Sequence, residues 1–111
     1  MSALLALAGL KVRLRFEIYN EKDERAGYAL VEPEGPYLRL VWISVYEKDR
    51  GRGYGTRLIE RVKAYAKSRG FIEVVGCLDL NPEGFKERKR FFEKFGRLAF
   101  SNGALHFFIP L

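Results

Sequence analysis

The sequence contains no glutamine, three asparagines, and only one each of cysteine, histidine, methionine and tryptophan. The single cysteine, Cys77, excludes an internal disulfide framework and any metal site built from several thiolates. The single histidine, His106, excludes a histidine-based zinc site and a mechanism needing two histidines of one chain. No apolar run approaches the ~20 residues that cross a bilayer. The opening MSALLALAGL is apolar but short and lacks a basic leading region, so a signal peptide is not expected and a cytoplasmic protein is. Scarce Gln, Asn and Met beside plentiful Lys, Arg and Glu is a composition common in thermophile proteins.

What is present suffices for a packed domain. The 111 residues are 48% hydrophobic, with nine Phe and six Tyr, which predicts one folded domain over residues 1–111 rather than disorder. No internal repeat or linker breaks it. A net charge of +6, from 20 Lys and Arg against 14 Asp and Glu, favours anionic partners. Nucleic acid, an acidic protein face and a phosphorylated cofactor all qualify.

Between Lys11 and Tyr19 apolar Val12, Leu14, Phe16 and Ile18 alternate with polar residues, the period of a half-buried strand. Asn20 to Arg25 turns the chain into a second strand over Ala26 to Glu32, and Pro33 to Pro36 predicts a break. Tyr37 to Tyr46 is nearly continuous in apolar residues, as in a strand buried on both faces. From Tyr54 to Arg69 the period becomes helical through Leu58, Ile59, Val62, Tyr65 and Ala66, with Gly70 as the stop. Phe71 to Leu80 predicts a further strand. Asn81-Pro82-Glu83 then predicts the start of a second helix, which carries Phe85, Phe91, Phe92 and Phe95 and ends near Gly96. Two short strands around Ser101-Asn102-Gly103 close the chain as a hairpin. The order β-β-β-loop-α-β-α-β-β predicts an α/β (α+β) fold on a mixed sheet.

The segment with chemical meaning is Arg50-Gly51-Arg52-Gly53-Tyr54-Gly55-Thr56, between a buried strand and the first turn of a helix. A helix start leaves backbone N–H groups without partners and adds partial positive charge, so a phosphate or pyrophosphate suits it. No side chain suited to capping stands there, so a bound anion can supply the acceptor. The spacing differs from the dinucleotide fingerprint, and no lysine precedes Thr56 as a Walker loop requires. A ligand-free glycine turn is the plain alternative.

Arg50-x-x-Gly53-x-Gly55 resembles the Q/R-x-x-G-x-G/A motif of the GNAT superfamily of N-acetyltransferases. The resemblance extends over about residues 12 to 109. YLRLVWISV is similar to that family's fourth strand, TRLIERVKAYAKSRG to its third helix, FIEVVGCLDL to its fifth strand, and RFFEKFGR to its FYEKxGF segment. The resemblance implies a single-domain acyl-CoA N-acyltransferase fold, a mostly antiparallel mixed sheet flanked by two helices. It implies acetyl-CoA as cofactor, its pyrophosphate on the backbone of Gly51, Arg52, Gly53, Tyr54, Gly55 and Thr56, with Arg50 opening the motif. The pantetheine arm would pair like a strand with Ile43, Ser44 and Val45, and Ile43 or Val45 N–H would polarise the thioester carbonyl. The activity implied is transfer of the acetyl group, by direct attack on the thioester, to a primary amine of a protein, peptide or small molecule.

The sequence departs from the family at two chemical positions. Phe92 stands where the family often has a tyrosine acid, and Arg39 where a glutamate base is frequent. Asp79 and Cys77, on the next strand, are the remaining catalytic candidates, although both are ordinary strand residues otherwise, and His106 reads as structural. About eleven residues precede the first clear strand, where the family has a strand and two helices. The acceptor side is therefore expected to be open or completed by a second subunit, and an exposed MSALLALAGL favours a homodimer. Two other functions compete: a catalytically weak or inactive acyl-CoA-binding module, and a basic nucleic-acid-binding domain. The second is disfavoured because no motif with stacking aromatics accompanies the helical Arg and Lys.

Overall fold

A computed structural model describes residues 12–111. The apolar opening and Lys11 fall outside the described residues, so the expectations placed on them stay with the sequence. Six strands and two helices follow in the predicted order: β1 (Leu14–Tyr19), β2 (Arg25–Glu34), β3 (Tyr37–Val45), α1 (Tyr54–Ser68), β4 (Glu73–Cys77), α2 (Phe85–Glu93), β5 (Arg97–Ser101) and β6 (Ala104–Pro110). A 3₁₀ turn, Glu47–Asp49, leads from β3 into the glycine loop. The strands form one sheet in the order β1-β2-β3-β4-β6-β5, antiparallel except where β3 meets β4.

One face of this sheet holds the core. Val31, Leu38, Val74 and Ile109 are fully buried, and register carries that face across through Val31↔Leu40, Leu38↔Val74 and Val74↔Ile109. Leu58, Ile59, Val62 and Ala66, one stripe of α1, are fully buried against it. Phe92 of α2 stacks on Phe107 of β6 with ring centroids 4.3 Å apart, so both helices cover the same face. Gly76 makes room for this: a β-carbon there would lie 2.3 Å from Phe107 Cζ and 2.8 Å from the Leu40 carbonyl oxygen.

Three sequence expectations are corrected. Pro33 and Glu34 belong to β2 and do not break it. Pro33 pairs with Leu38 one step from the tight turn closed by Glu34 and Tyr37, so its nitrogen points away from β3. The β1 ladder has already ended at Val31, so the missing donor breaks no bond there. The fourth strand covers only Glu73–Cys77: Leu78 N–H still donates to the Leu105 carbonyl at 2.8 Å, but Asp79 to Gly84 then run outside the sheet. That segment also displaces the second helix start: Asn81 Oδ1 accepts from Glu83 N–H at 3.1 Å, and Gly84 (φ 77°) is the residue before Phe85. The closing hairpin turns through Asn102 (φ 52°) and Gly103 (φ 77°), the positive pair that a two-residue turn requires.

Candidate functional site

Among the described residues, the only parallel contact in the sheet, between β3 and β4, is short. It comprises Leu38↔Val74 and Arg39↔Val75, after which β3 runs on to Val45 without β4 beside it. Leu30 pairs with Trp42 and Val31 with Leu40, so Val41 is an extra residue on β3, a β-bulge. A bulge bends its strand and re-aims the side chains beyond it. Ile43 accordingly continues the core-facing side opposite Ala29, while Trp42 emerges on the other face, half exposed. The result is a wedge with one strand edge of β3 open towards β4.

The glycine loop closes the wide end of the wedge. Gly51 (φ 77°) and Gly53 (φ 83°) adopt left-handed backbone that only glycine takes without strain, and Gly53 is the residue before α1. No side chain caps α1, and no acceptor among the described residues takes the N–H of Gly51, Arg52, Gly53, Tyr54, Gly55 or Thr56. The chain braces this loop from two sides. Arg50 Nε donates to the Val45 carbonyl at 3.1 Å, and Asn20 Nδ2 donates to Asp49 Oδ1 at 3.1 Å. Lys48 Nζ sits 3.2 Å from Glu24, and that hydrogen bond, with a second from Asn20, holds the Glu24 carboxyl below its ordinary pKa. Asp49 is buried and its Oδ2 has no hydrogen-bond partner among the described residues.

These parts surround an open groove of about 750 Å³, lined by Trp42 to Val45, the glycine loop, the first turn of α1, and Gly84, Glu87, Arg88 and Phe91. That size fits an organic cofactor. Arg88 is committed to structure: its guanidinium donates to the backbone carbonyls of Asp79 and Asn81 and, at 2.9 Å, of Glu83, pinning the Asp79 to Gly84 turn onto α2. A smaller cavity of about 70 Å³ adjoins the groove, sharing Trp42, Ile43, Asp79 and Phe92 with it. Cys77 is also among its lining residues.

Every cofactor-site residue expected from the sequence lies in or beside this groove. Ile43, Ser44, Val45, Arg50, Gly51, Gly53, Tyr54, Gly55 and Thr56 line it, and Arg52 is exposed in the same loop. The catalytic candidates divide. Phe92 lines both cavities but has no proton to give. Arg39 lies 3.7 Å from Glu32, a buried glutamate that also accepts from Arg13, so a carboxylate absent from the sequence expectations stands directly across from it. Cross-strand adjacency alone, Glu32↔Arg39, could have revealed that pairing. Asp79 Oδ1 accepts from Asn81 N–H at 2.9 Å. Cys77 and His106, 29 residues apart, are direct cross-strand neighbours with Sγ and Nδ1 at 3.4 Å.

Known proteins share this fold. The sequence model described as an acetyltransferase (GNAT) domain matches residues 13–96. No curated protein matches the chain in sequence. Among solved structures, PaiA N-acetyltransferase from Thermoplasma acidophilum, in complex with coenzyme A, superposes with a TM-score of 0.74 at 11% identity over 97% of this chain. The chain spans 66% of that protein's length. An acetyltransferase from Bacillus cereus gives 0.63 at 16% identity, over 97% of this chain and 84% of its own. A GNAT-family acetyltransferase from Staphylococcus aureus gives 0.73 at 12% identity, over 89% and 68%. At such identities the likeness is one of fold.

Proposed function

The chain belongs to the GNAT acetyltransferase family, and on that premise we propose that it binds acetyl-CoA in the wedge and transfers the acetyl group to an amine. The observation that carries the reading is the run of six backbone N–H groups, Gly51 to Thr56, left without acceptors among the described residues at the wide end of a split sheet. A run of unpaired donors leading into a helix start suits a pyrophosphate. The open edge of β3, Ile43 to Val45, suits an extended amide-bearing arm that adds to it as a strand does. An anion on the loop would also take the place of the cap that α1 lacks. Acetyl-CoA, when bound, supplies an activated thioester.

The chain's own part is then positional and electrostatic. The backbone N–H of Ile43 or Val45 would stabilise negative charge on the thioester oxygen. Holding amine and thioester together within the wedge supplies much of the rate. The acceptor is an amine of a protein, a peptide or a small molecule. Titration calorimetry with acetyl-CoA tests the cofactor half, and no binding at low-millimolar ligand overturns it. A thiol-release assay over a panel of amines and peptides tests the transfer half.

One observation favours a second reading, a module that binds acyl-CoA without efficient turnover. Phe92 occupies the place of the family's usual tyrosine acid and is packed flat on Phe107. CoA binding with silence across the amine panel would select that reading.

A further inference from the structure

The small cavity begins where the sheet splits. Leu40 and Gly76 are the first residues beyond the last β3–β4 pair, Arg39↔Val75, and the two strands part from there. Gly76 brings no side chain into the gap. The space left, about 70 Å³, is walled chiefly by Leu40, Ile43, Leu78, Phe92 and Phe107. Four of these, Leu40, Leu78, Phe92 and Phe107, are only 2–6% exposed, so the walls belong to the packed core. The polar side chains in the lining already have partners: Cys77 Sγ lies 3.4 Å from His106 Nδ1, and Asp79 Oδ1 accepts from Asn81 N–H. A buried water needs two to four polar partners, so such a space suits carbon better than water. The cavity also continues the cofactor groove, because Trp42, Ile43 and Phe92 line both. A thioester carbonyl held at the Ile43 N–H would stand at its mouth. The methyl of an acetyl group would then reach the entrance and leave the interior unfilled. At about 30 Å³ for a group the size of water, the interior takes roughly two further carbons.

We propose that this cavity is an acyl-chain pocket, and that the donors of the chain are short saturated acyl-CoAs of up to about four carbons, acetyl-CoA being the smallest. This rests on the acyl-CoA reading of the groove and extends it to the acyl group. The chemistry stays that of direct attack. The amine nitrogen bonds to the acyl carbonyl carbon, and the bond from that carbon to the CoA sulfur breaks. The proton that the nitrogen loses ends on the CoA sulfur, giving an amide and free CoA. The pocket adds no chemical group to this step. Its part is to bury the carbons beyond the carbonyl, which removes apolar surface from water and fixes the direction of the thioester. Phe92, lying along both spaces, keeps the passage between them apolar.

The test is calorimetry of the full chain with CoA and with acetyl-, propionyl-, butyryl-, hexanoyl- and octanoyl-CoA. Affinity should rise about four-fold per methylene from acetyl to butyryl, the worth of burying one CH₂, and should rise no further at hexanoyl or octanoyl. Leu78 lines the cavity and stands outside the groove lining, so its variants address the pocket alone. Leu78→Phe fills the space; it should bind CoA as the parent does and lose the roughly fifteen-fold advantage of butyryl over acetyl. Leu78→Ala enlarges the space and should extend the rise to hexanoyl-CoA, a gain that a merely loosened fold would not produce. Equal affinity of the parent for acetyl- and butyryl-CoA, or weaker binding of butyryl-CoA, overturns the pocket and leaves the cofactor reading intact. A butyryl advantage that survives unchanged in folded Leu78→Phe, or an optimum unmoved in folded Leu78→Ala, places the chain elsewhere and overturns it too. Should neither variant fold, the parent series decides alone. Failure of CoA and every acyl-CoA to bind the parent overturns both readings.

Discussion

Gly55 in the first turn of α1 and Phe91 in α2 stand so close that a β-carbon on Gly55 would lie 3.0 Å from Phe91 Cε1. Both residues line the groove, so their contact sets how near the two helices come at its mouth. Gly55→Ala asks the ring to yield by a few tenths of an ångström and should leave acetyl-CoA affinity within about three-fold of the parent. Gly55→Val overfills the contact, which typically costs 1–3 kcal/mol, and should weaken binding roughly ten-fold or more. Calorimetry on the two variants checks this. Equal affinities for both would mean that the helices are free to part.

Gly53 poses a different constraint. Nothing lies within 4 Å of its missing β-carbon, but its φ is +83°. Gly53→Val therefore meets no clash and pays only in backbone strain, on the order of 1–3 kcal/mol. The protein should stay folded by circular dichroism while acetyl-CoA binding is abolished, because relaxing φ turns the loop's N–H groups away from a common point. Undiminished binding would remove the pyrophosphate from this loop.

Gly76→Ala tests the packing beneath the wedge. The added methyl would press on the Phe107 ring and on the Leu40 carbonyl at once, and a backbone oxygen cannot rotate away. We expect a loss of about 3 kcal/mol in denaturant unfolding, with an unchanged slope. A loss below about 1 kcal/mol would mean that the Phe92–Phe107 stack slides freely.

Phe92→Tyr adds a hydroxyl to a ring that lines both cavities. If the leaving thiolate takes its proton from that region, kcat should rise, by up to about a hundred-fold where a positioned acid was lacking. KM should change little. An unchanged kcat would mean that the proton comes from elsewhere.

Acid should loosen the brace behind the loop. The hydrogen bond from Lys48 lowers the Glu24 pKa in the folded chain, as that from Arg25 lowers Glu17. A carboxyl whose folded pKa is depressed stabilises the fold above its unfolded value, about 4.3, and loses that contribution as pH falls through the folded value. Melting temperature should therefore decline on acidification through this range. Glu24→Gln should flatten part of the decline, more visibly at low salt. An identical profile in the variant would show that the pair carries no stability.

Much of this was legible in the sequence because the signals are local. Helical spacing from Leu58 to Ala66, the Asn102-Gly103 turn and the glycines after Arg50 each act over a few residues. What escaped depends on register. The run YLRLVWISV is apolar on both faces, so nothing in it marks Val41 as the bulge or Leu40 as the point where β4 departs. Pro33 read as a break because its place one step from a hairpin turn, beyond the end of β1, is a property of three strands together. Asn81-Pro82-Glu83 has the composition of a helix start, but Arg88, gripping three carbonyls, holds that segment as a turn. The meeting of Cys77 with His106 needed β4 and β6 to be laid side by side.

The two-pair contact between β3 and β4 has a consequence for the lifetime of the molecule. It is a seam joining two antiparallel triplets, β1-β2-β3 and β4-β6-β5, which α1 otherwise bridges. Local opening follows the element with the fewest bonds. A ligand lying along the free edge of β3 would act as a staple across that seam, stabilising the chain in proportion to the logarithm of its concentration. The abundance of acetyl-CoA would then govern how long each molecule resists proteolysis as well as how fast it works, so metabolic supply and protein turnover would be read at the same two pairs of residues.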